Sequence, residues 1–350
     1  MMDSDQLSIL VGAVQHNCDV SDARHGADYS LCIYLMKMRE YYRWEQGLPY
    51  GAALDNEAVG DWLQAREQRW EALEGADLEA LPIDGRSYDP FAAETINARL
   101  AEHGLVYSSG LGHRAKPHFF LGVLARQEQA DNHTVYIASS EYARDLTAPP
   151  AMTLGNSIFL RRESLRRMLW EKLEGWRWSR PDNALGRAFA CYDFDRDLDG
   201  SLDAMADREI DNARLHEEGE HQAGCLLGDE HWNAMLLDLT NSPAELMARA
   251  VRDHLADCLV TLPQLAHGGD EPALHFYVGN LSNMRKSLFP RLIDGYEDWR
   301  ARGDTRRLLE LAALGRDHWQ RLAEQMMARH RQGATDIATA IRALVEQHHL

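Results

Sequence analysis

The stretch HEEGEHQAG, residues 216–224, sets two histidines among three glutamates, and imidazole with carboxylate is a donor set suited to iron, manganese or zinc. On a helix each residue advances about 100 degrees, so residues four or seven apart share a face. Glu209, His216 and Glu220 therefore align, on the side that also carries Ala213, Ala223 and Leu227. Glu217 and His221 fall toward the more polar side. Carboxylates that point inward need a cation or hydrogen-bond donors, so Glu209, His216 and Glu220 are the expected ligands. Glu218-Gly219-Glu220-His221 has the Glu-x-x-His spacing used in helical di-iron sites, but Gly219 disfavours the helix and the pattern spans two faces. The zinc-protease motif is excluded, because His216 and His221 are five apart where it requires four.

A second segment can complete such a site. In LMARAVRDHLADCLVTL the apolar face runs through Met247, Val251, Leu255 and Cys258, with His254 at its centre and Asp257 on its flank. His254 and Asp257 join the expected ligand set, against the plainer reading of His254 as a core histidine hydrogen-bonded to a neighbour. Iron or manganese suits this mixture, with zinc as the alternative.

Another constellation lies near the N-terminus, where HNCDVSDARHGAD gathers His16, Cys18, Asp19, Asp22, His25 and Asp28. His25 and Asp28 are three apart on an expected helix, and His16 and Asp19 fall in the loop expected before it. The four can converge on a metal or form a histidine–carboxylate pair for acid–base catalysis. The structural alternative is a helix entrance capped by Asp19, Ser21 or Asp22.

Three further motifs carry less. DRDLDGSLDAMA follows the calcium-loop pattern through Asp195, Asp197, Asp199 and Gly200, but its twelfth position is Ala206, so no tight calcium site is expected. An Asp-Gly turn before a helix capped by Ser201 is the better reading. SSGLGHRAKPH lacks both the phosphate-loop and the dinucleotide patterns and reads as a basic hairpin connection. In RRESLRRMLWEKLEGWRWSR, Leu165, Leu169, Leu173 and Trp176 form one stripe, which indicates a core helix with a solvated arginine face. No serine or cysteine stands in a hydrolase context.

These residues need elements to position them. A long helix is expected over Asp22–Glu45, a second over about Asn56–Glu74, and a third between Asp89-Pro90 and Gly104, where aspartate caps, proline takes the first turn and glycine stops the helix. LVYSS, HFFLGVLA and HTVYIAS then read as a small antiparallel sheet, and IFLRRESLRRMLWEKLEGW as a helix. The breakers Ser179-Arg180-Pro181-Asp182-Asn183 mark a boundary, beyond which every segment has helical spacing. The expected architecture is mainly α: an α+β domain over residues 1–180 with a small antiparallel sheet, and an all-α helical bundle over 184–350.

At 350 residues two domains are the default, and 45% apolar with 26% charged residues is globular composition. A formal charge of -18 argues against nucleic acid or an anionic membrane as a general partner, leaving a small-molecule substrate or a protein. Five scattered cysteines without a Cys-x-x-Cys pair read as thiols, and no stretch approaches a membrane span, so a cytoplasmic protein is expected.

The run QHNCDVSDARHGADYSLCIYLMKMREYYRWE, together with EIDNARLHEEGEHQAG, resembles a family of bacterial conserved proteins of unknown function that are divided into N- and C-terminal domains. The resemblance covers most of the chain and implies a two-domain split without implying an activity. Two readings follow from the residues: a metal-dependent enzyme with oxidative or hydrolytic chemistry, or a non-catalytic interaction or scaffold protein whose acidic helices are solvated.

Overall fold

The computed structural model describes residues 2–130, 132–333 and 336–350. It divides into two units. The first takes the chain up to Gly112 with Lys116–Glu171 and Asp195–Ala206; the second takes His113–Ala115, Lys172–Phe194 and Asp207–Leu350.

The first unit opens with α1 (Ser4–His25), α2 (Leu31–Glu45) and α3 (Asn56–Leu73). Helix therefore begins much earlier than Asp22, and His16 and Asp19 sit on α1 rather than in a loop. The cause is a start signal at Asp3, whose carboxylate caps Gln6 N in a reciprocal capping box, followed by Leu10, Ala13, Val14 and Cys18 on one buried face. A 3₁₀ turn at Gly26–Asp28 then separates α1 from α2, so the expected single helix is two. Helix α3 starts as expected, with the Asp55 side chain accepting from Ala58 N.

Next come β1 (Leu81–Ile83) and β2 (Arg86–Tyr88), a hairpin not expected from the sequence. Its Asp84-Gly85 turn has φ of 51° and 72°, the left-handed pair that such two-residue hairpins require. Helix α4 (Ala93–Leu100) starts after Pro90, because Asp89 forms a turn in which its Oδ1 accepts from Phe91 N and its carbonyl from Ala92 N. It runs through a 3₁₀ turn to the expected stop at Gly104, φ 70°.

The main sheet holds β3 (Leu105–Leu111), β4 (Pro117–Gln129), β5 (Thr134–Arg144), β6 (Ala151–Leu154) and β7 (Ser157–Arg161) in the order β3-β4-β5-β7-β6. It is mixed, not purely antiparallel: β7 lies parallel to β5, from Thr134 opposite Ser157 to Ala138 opposite Arg161. As an interior strand, β7 is buried through Ile158, Phe159 and Leu160, and such a continuous apolar run has no alternation to betray it. It therefore read as the start of helix α5, which occupies Arg162–Arg177.

The remaining elements are helical: α6 (Ala184–Phe189), α7 (Leu198–Leu227), α8 (Asp229–Asp238), α9 (Pro243–Ala256), α10 (Leu262–Gly268), α11 (Glu271–Asn280), α12 (Asn283–Leu288), α13 (Pro290–Arg302), α14 (Arg306–Arg331) and α15 (Ile337–Glu346). In the second unit Trp232, Phe289, Tyr296 and Trp319 are fully buried in one apolar core. Helix α7 begins before Ser201, and the carboxylate of Asp197 accepts from Gly200 N at its start, so the cap is Asp197. Asp199 and Asp203 of the calcium-like segment pair with Arg166 at 2.6 and 2.9 Å. Between α9 and α10 the chain makes a π turn, Asp257–Thr261. Among the described residues no helix is long and apolar enough to cross a membrane.

Candidate functional site

In the second unit α7 and α9 approach closely at Gly219. A Cβ built there would lie 2.3 Å from the carbonyl oxygen of Ala256, so no side chain fits. The glycine that weakens the helix on propensity is what allows the two backbones to touch. On either side of it, α7 offers His216 and Glu220 and the facing segment offers Asp253 and Asp257, each pair one helical turn apart.

One ligand atom each from His216, Glu220 and Asp253 lie within 4.8 Å of one another, and among the described residues this is the one group of three such side chains that close. His216 Nδ1 is 2.8 Å from Asp257 Oδ1, which leaves Nε2 for a ligand. Asp257 is held in turn by the guanidinium of Arg285. A carboxylate on the far ring nitrogen fixes the tautomer and raises the basicity of a metal-ligating histidine. Glu220 Oε2 accepts from Arg252 Nε at 2.7 Å, while its Oε1 is buried without a partner.

The electrostatics follow from this arrangement. Burial works against charge on His216, but Asp257 outweighs it and raises the imidazole to about 10. Burial raises Glu220 to about 7 against the pull of Arg252. Burial also opposes ionisation of Asp257, yet Arg285 and His216 hold it well below the usual carboxylate range.

Of the five ligands read from the sequence, the structure brings His216 and Glu220 together, with Asp257 behind His216. Glu209 lies two helical turns earlier, about 10 Å along α7. It is buried, with Oε2 accepting from Asn212 and Oε1 unpartnered, and burial lifts its pKa to about 8. His254 turns into the core, stacked on Trp319 at 4.9 Å with its Nε2 3.0 Å from the carbonyl of Arg285. Burial lowers it to about 3, so it is neutral and Nε2 carries the proton that it donates. Asp253, which the sequence reading passed over, stands next to it on the outer side. Its signal was the DHLAD spacing, which matches the His216–Glu220 spacing opposite.

In the first unit the four candidate acid–base residues do not gather into one cluster. His25 and Asp28 do meet, Nδ1 to Oδ2, at 3.1 Å. His16 Nε2 instead lies 3.3 Å from Asp77 O and 3.7 Å from Glu79. Asp19 is fully buried, accepting from Arg66, Trp70 and Gln15 and paired with Arg69.

What the sequence did not reveal there is a buried charge network. Asp22 takes Lys116 Nζ at 2.7 Å and Leu146 N at 2.7 Å, and Lys116 also reaches Thr147. His118 Nδ1 is 3.0 Å from Asp145, and Glu141 accepts from Arg161 at 2.9 Å and Ser164 at 2.6 Å. Lys116 and His118 had read as a basic hairpin connection. Nothing local in the sequence signals partners so distant along the chain.

Comparison with known proteins adds one finding. Residues 9–161 match the model for the N-terminal domain, and residues 166–348 the model for the C-terminal domain, of DUF6866, described as a family of unknown function. No curated protein and no solved structure matches the chain.

Proposed function

This chain belongs to the two-domain DUF6866 family of unknown function, and we propose from the geometry of its second unit that it is a metal-dependent enzyme. His216, Glu220 and Asp253 are the ligands, Asp257 orients His216, and Arg285 holds Asp257. The observation that carries this reading is the convergence of the three ligand groups, with a carboxylate on the far nitrogen of the histidine. One imidazole and two carboxylates suit iron or manganese, with zinc as the alternative. Such an ion supplies Lewis-acid or oxidative chemistry at coordination positions that three protein ligands leave open.

The scaffold reading is not favoured, because His216 and Glu220 face another helix instead of forming a solvated surface. Five free thiols fit a reducing compartment, and we place the protein in the cytoplasm. The test is elemental analysis of untagged protein reconstituted separately with iron(II), manganese(II) and zinc(II). About one equivalent of bound metal is expected, falling severalfold in His216→Ala. No retained metal in any of the three preparations overturns the reading.

A further inference from the structure

The first unit contains a pocket, wide open to solvent, of about 410 Å³, a size that suits a small organic ligand. Its walls combine two kinds of surface. Tyr34 and the edge of the largely buried Trp70 give it aromatic area, and Glu67, Glu71, Glu74 and the buried Asp22 give it carboxylates, with no lysine or arginine among the described lining residues. Aromatic faces and carboxylates share one preference in chemistry, which is for a positive charge carried on an organic frame.

The protein's own cations already show the preference of this wall. Tyr29, which also lines the cavity, has Lys37 Nζ 5.5 Å and Lys116 Nζ 5.9 Å from its ring centre. Lys116 satisfies Asp22, and the Tyr34 hydroxyl donates to Glu67 at 3.1 Å. Those contacts leave Glu71 and Glu74 at the rim, where no cation pairs with either side chain among the described residues. A metal ion is the wrong occupant, because these carboxylates do not close on one another as the ligand atoms of His216, Glu220 and Asp253 do. The four carboxylates of the lining disfavour an anionic ligand.

We propose that this cavity binds a small organic ammonium compound, its charge set against Tyr34 and Trp70 and neutralised by Glu67, Glu71 and Glu74. The site shares no residue with the metal ligands, and its test does not depend on metal content.

Calorimetric titration of the full chain with choline and with spermidine tests it, using 3,3-dimethylbutan-1-ol as the uncharged counterpart of choline. Saturable binding of either amine is expected, weakened about tenfold or more in Glu71→Gln/Glu74→Gln and in Tyr34→Leu. The glutamates are exposed, so that double variant should keep the parent melting temperature, and the neutral alcohol should bind at least about tenfold more weakly than choline. A lack of saturation by both amines up to about 10 mM overturns the proposal, as does equal binding of the alcohol or unchanged affinity in the variants. A lysine-containing tripeptide that binds about tenfold more tightly than both amines overturns the small-molecule source and assigns the cation to a protein side chain.

Discussion

The two units each bury a cluster of charges, and the clusters are balanced differently. In the first unit the acids have basic partners within hydrogen-bond range: Asp22 has Lys116, Glu141 has Arg161 and Asp19 has Arg66, while Asp145 meets the His118 ring. Even the carboxylate oxygens there that accept no hydrogen bond lie against a guanidinium, Asp19 Oδ2 2.7 Å from Arg69 and Glu141 Oε2 2.8 Å from Arg161. In the second, Arg285 and His216 satisfy Asp257 and Arg252 takes one oxygen of Glu220, while among the described residues the other oxygen of Glu220 is unpartnered and Asp253 has only Arg285 at 3.9 Å. A network with oxygen to spare, next to a histidine whose outer nitrogen can exchange its proton for a metal, has the capacity to take an ion.

The largest expected effect breaks the first unit's network. Lys116→Met leaves the Asp22 carboxylate buried without its cation and should cost about 3–5 kcal/mol in urea unfolding. Adding Asp22→Asn should recover a good part of it. A loss below about 1 kcal/mol would mean that the first unit's pairs are as slack as the second's.

Gly219→Ala tests the helix contact beneath the open cluster. The new methyl would meet the backbone of Ala256, so α7 and α9 must separate, at about 2–3 kcal/mol and with loss of bound metal. Unchanged metal content would show that the ligands do not depend on this approach.

Glu209 sets the scale for a buried acid with neither a cation nor a metal. Its folded pKa of about 8 lies above the ordinary 4.5, so the folded state keeps a proton that the unfolded chain releases. Its contribution to stability is full below about 4.5 and disappears as pH rises through about 8. Glu209→Gln should therefore match the parent at pH near 5 and exceed it by about 1 kcal/mol or more near pH 9. Equal stability at both pH values would show that Glu209 ionises without cost.

The smallest effect on stability should come with a clear effect on composition. Asp253→Asn, at a part-exposed site, should change unfolding by less than about 0.5 kcal/mol while metal content falls. Full metal retention would remove Asp253 from the ligand set and leave His216 and Glu220 needing another partner.

How far these features were legible from the sequence depends on how local their signals are. Helix α3 and the stop at Gly104 were readable because caps and glycines act within one turn. His216 and Glu220 were readable because a spacing of four sets a face. Asp253 was not, since Gly219 decides which side of α9 meets α7, and His254 on the apolar stripe drew the ligand role instead. The start of α1 was missed because its capping box stands only three residues into the chain. Strand β7 was hidden by its complete burial, and the Asp22–Lys116 pair by the sheet that must form to join residues 94 apart.

The strand order β3-β4-β5-β7-β6 also governs how the sheet is completed during synthesis. Strands β3, β4 and β5 can pair in sequence as they leave the ribosome, because each turns back on the one before. The outer side of β5, with Val135, Tyr136 and Ile137, must wait for Ser157–Arg161, which reaches it only after the chain has crossed over and placed β6 beyond. Until then it is an open edge, the kind to which another nascent chain can add. The segment between Arg144 and Arg161 must therefore emerge before that edge is closed, and the strand that closes it leads directly into α5.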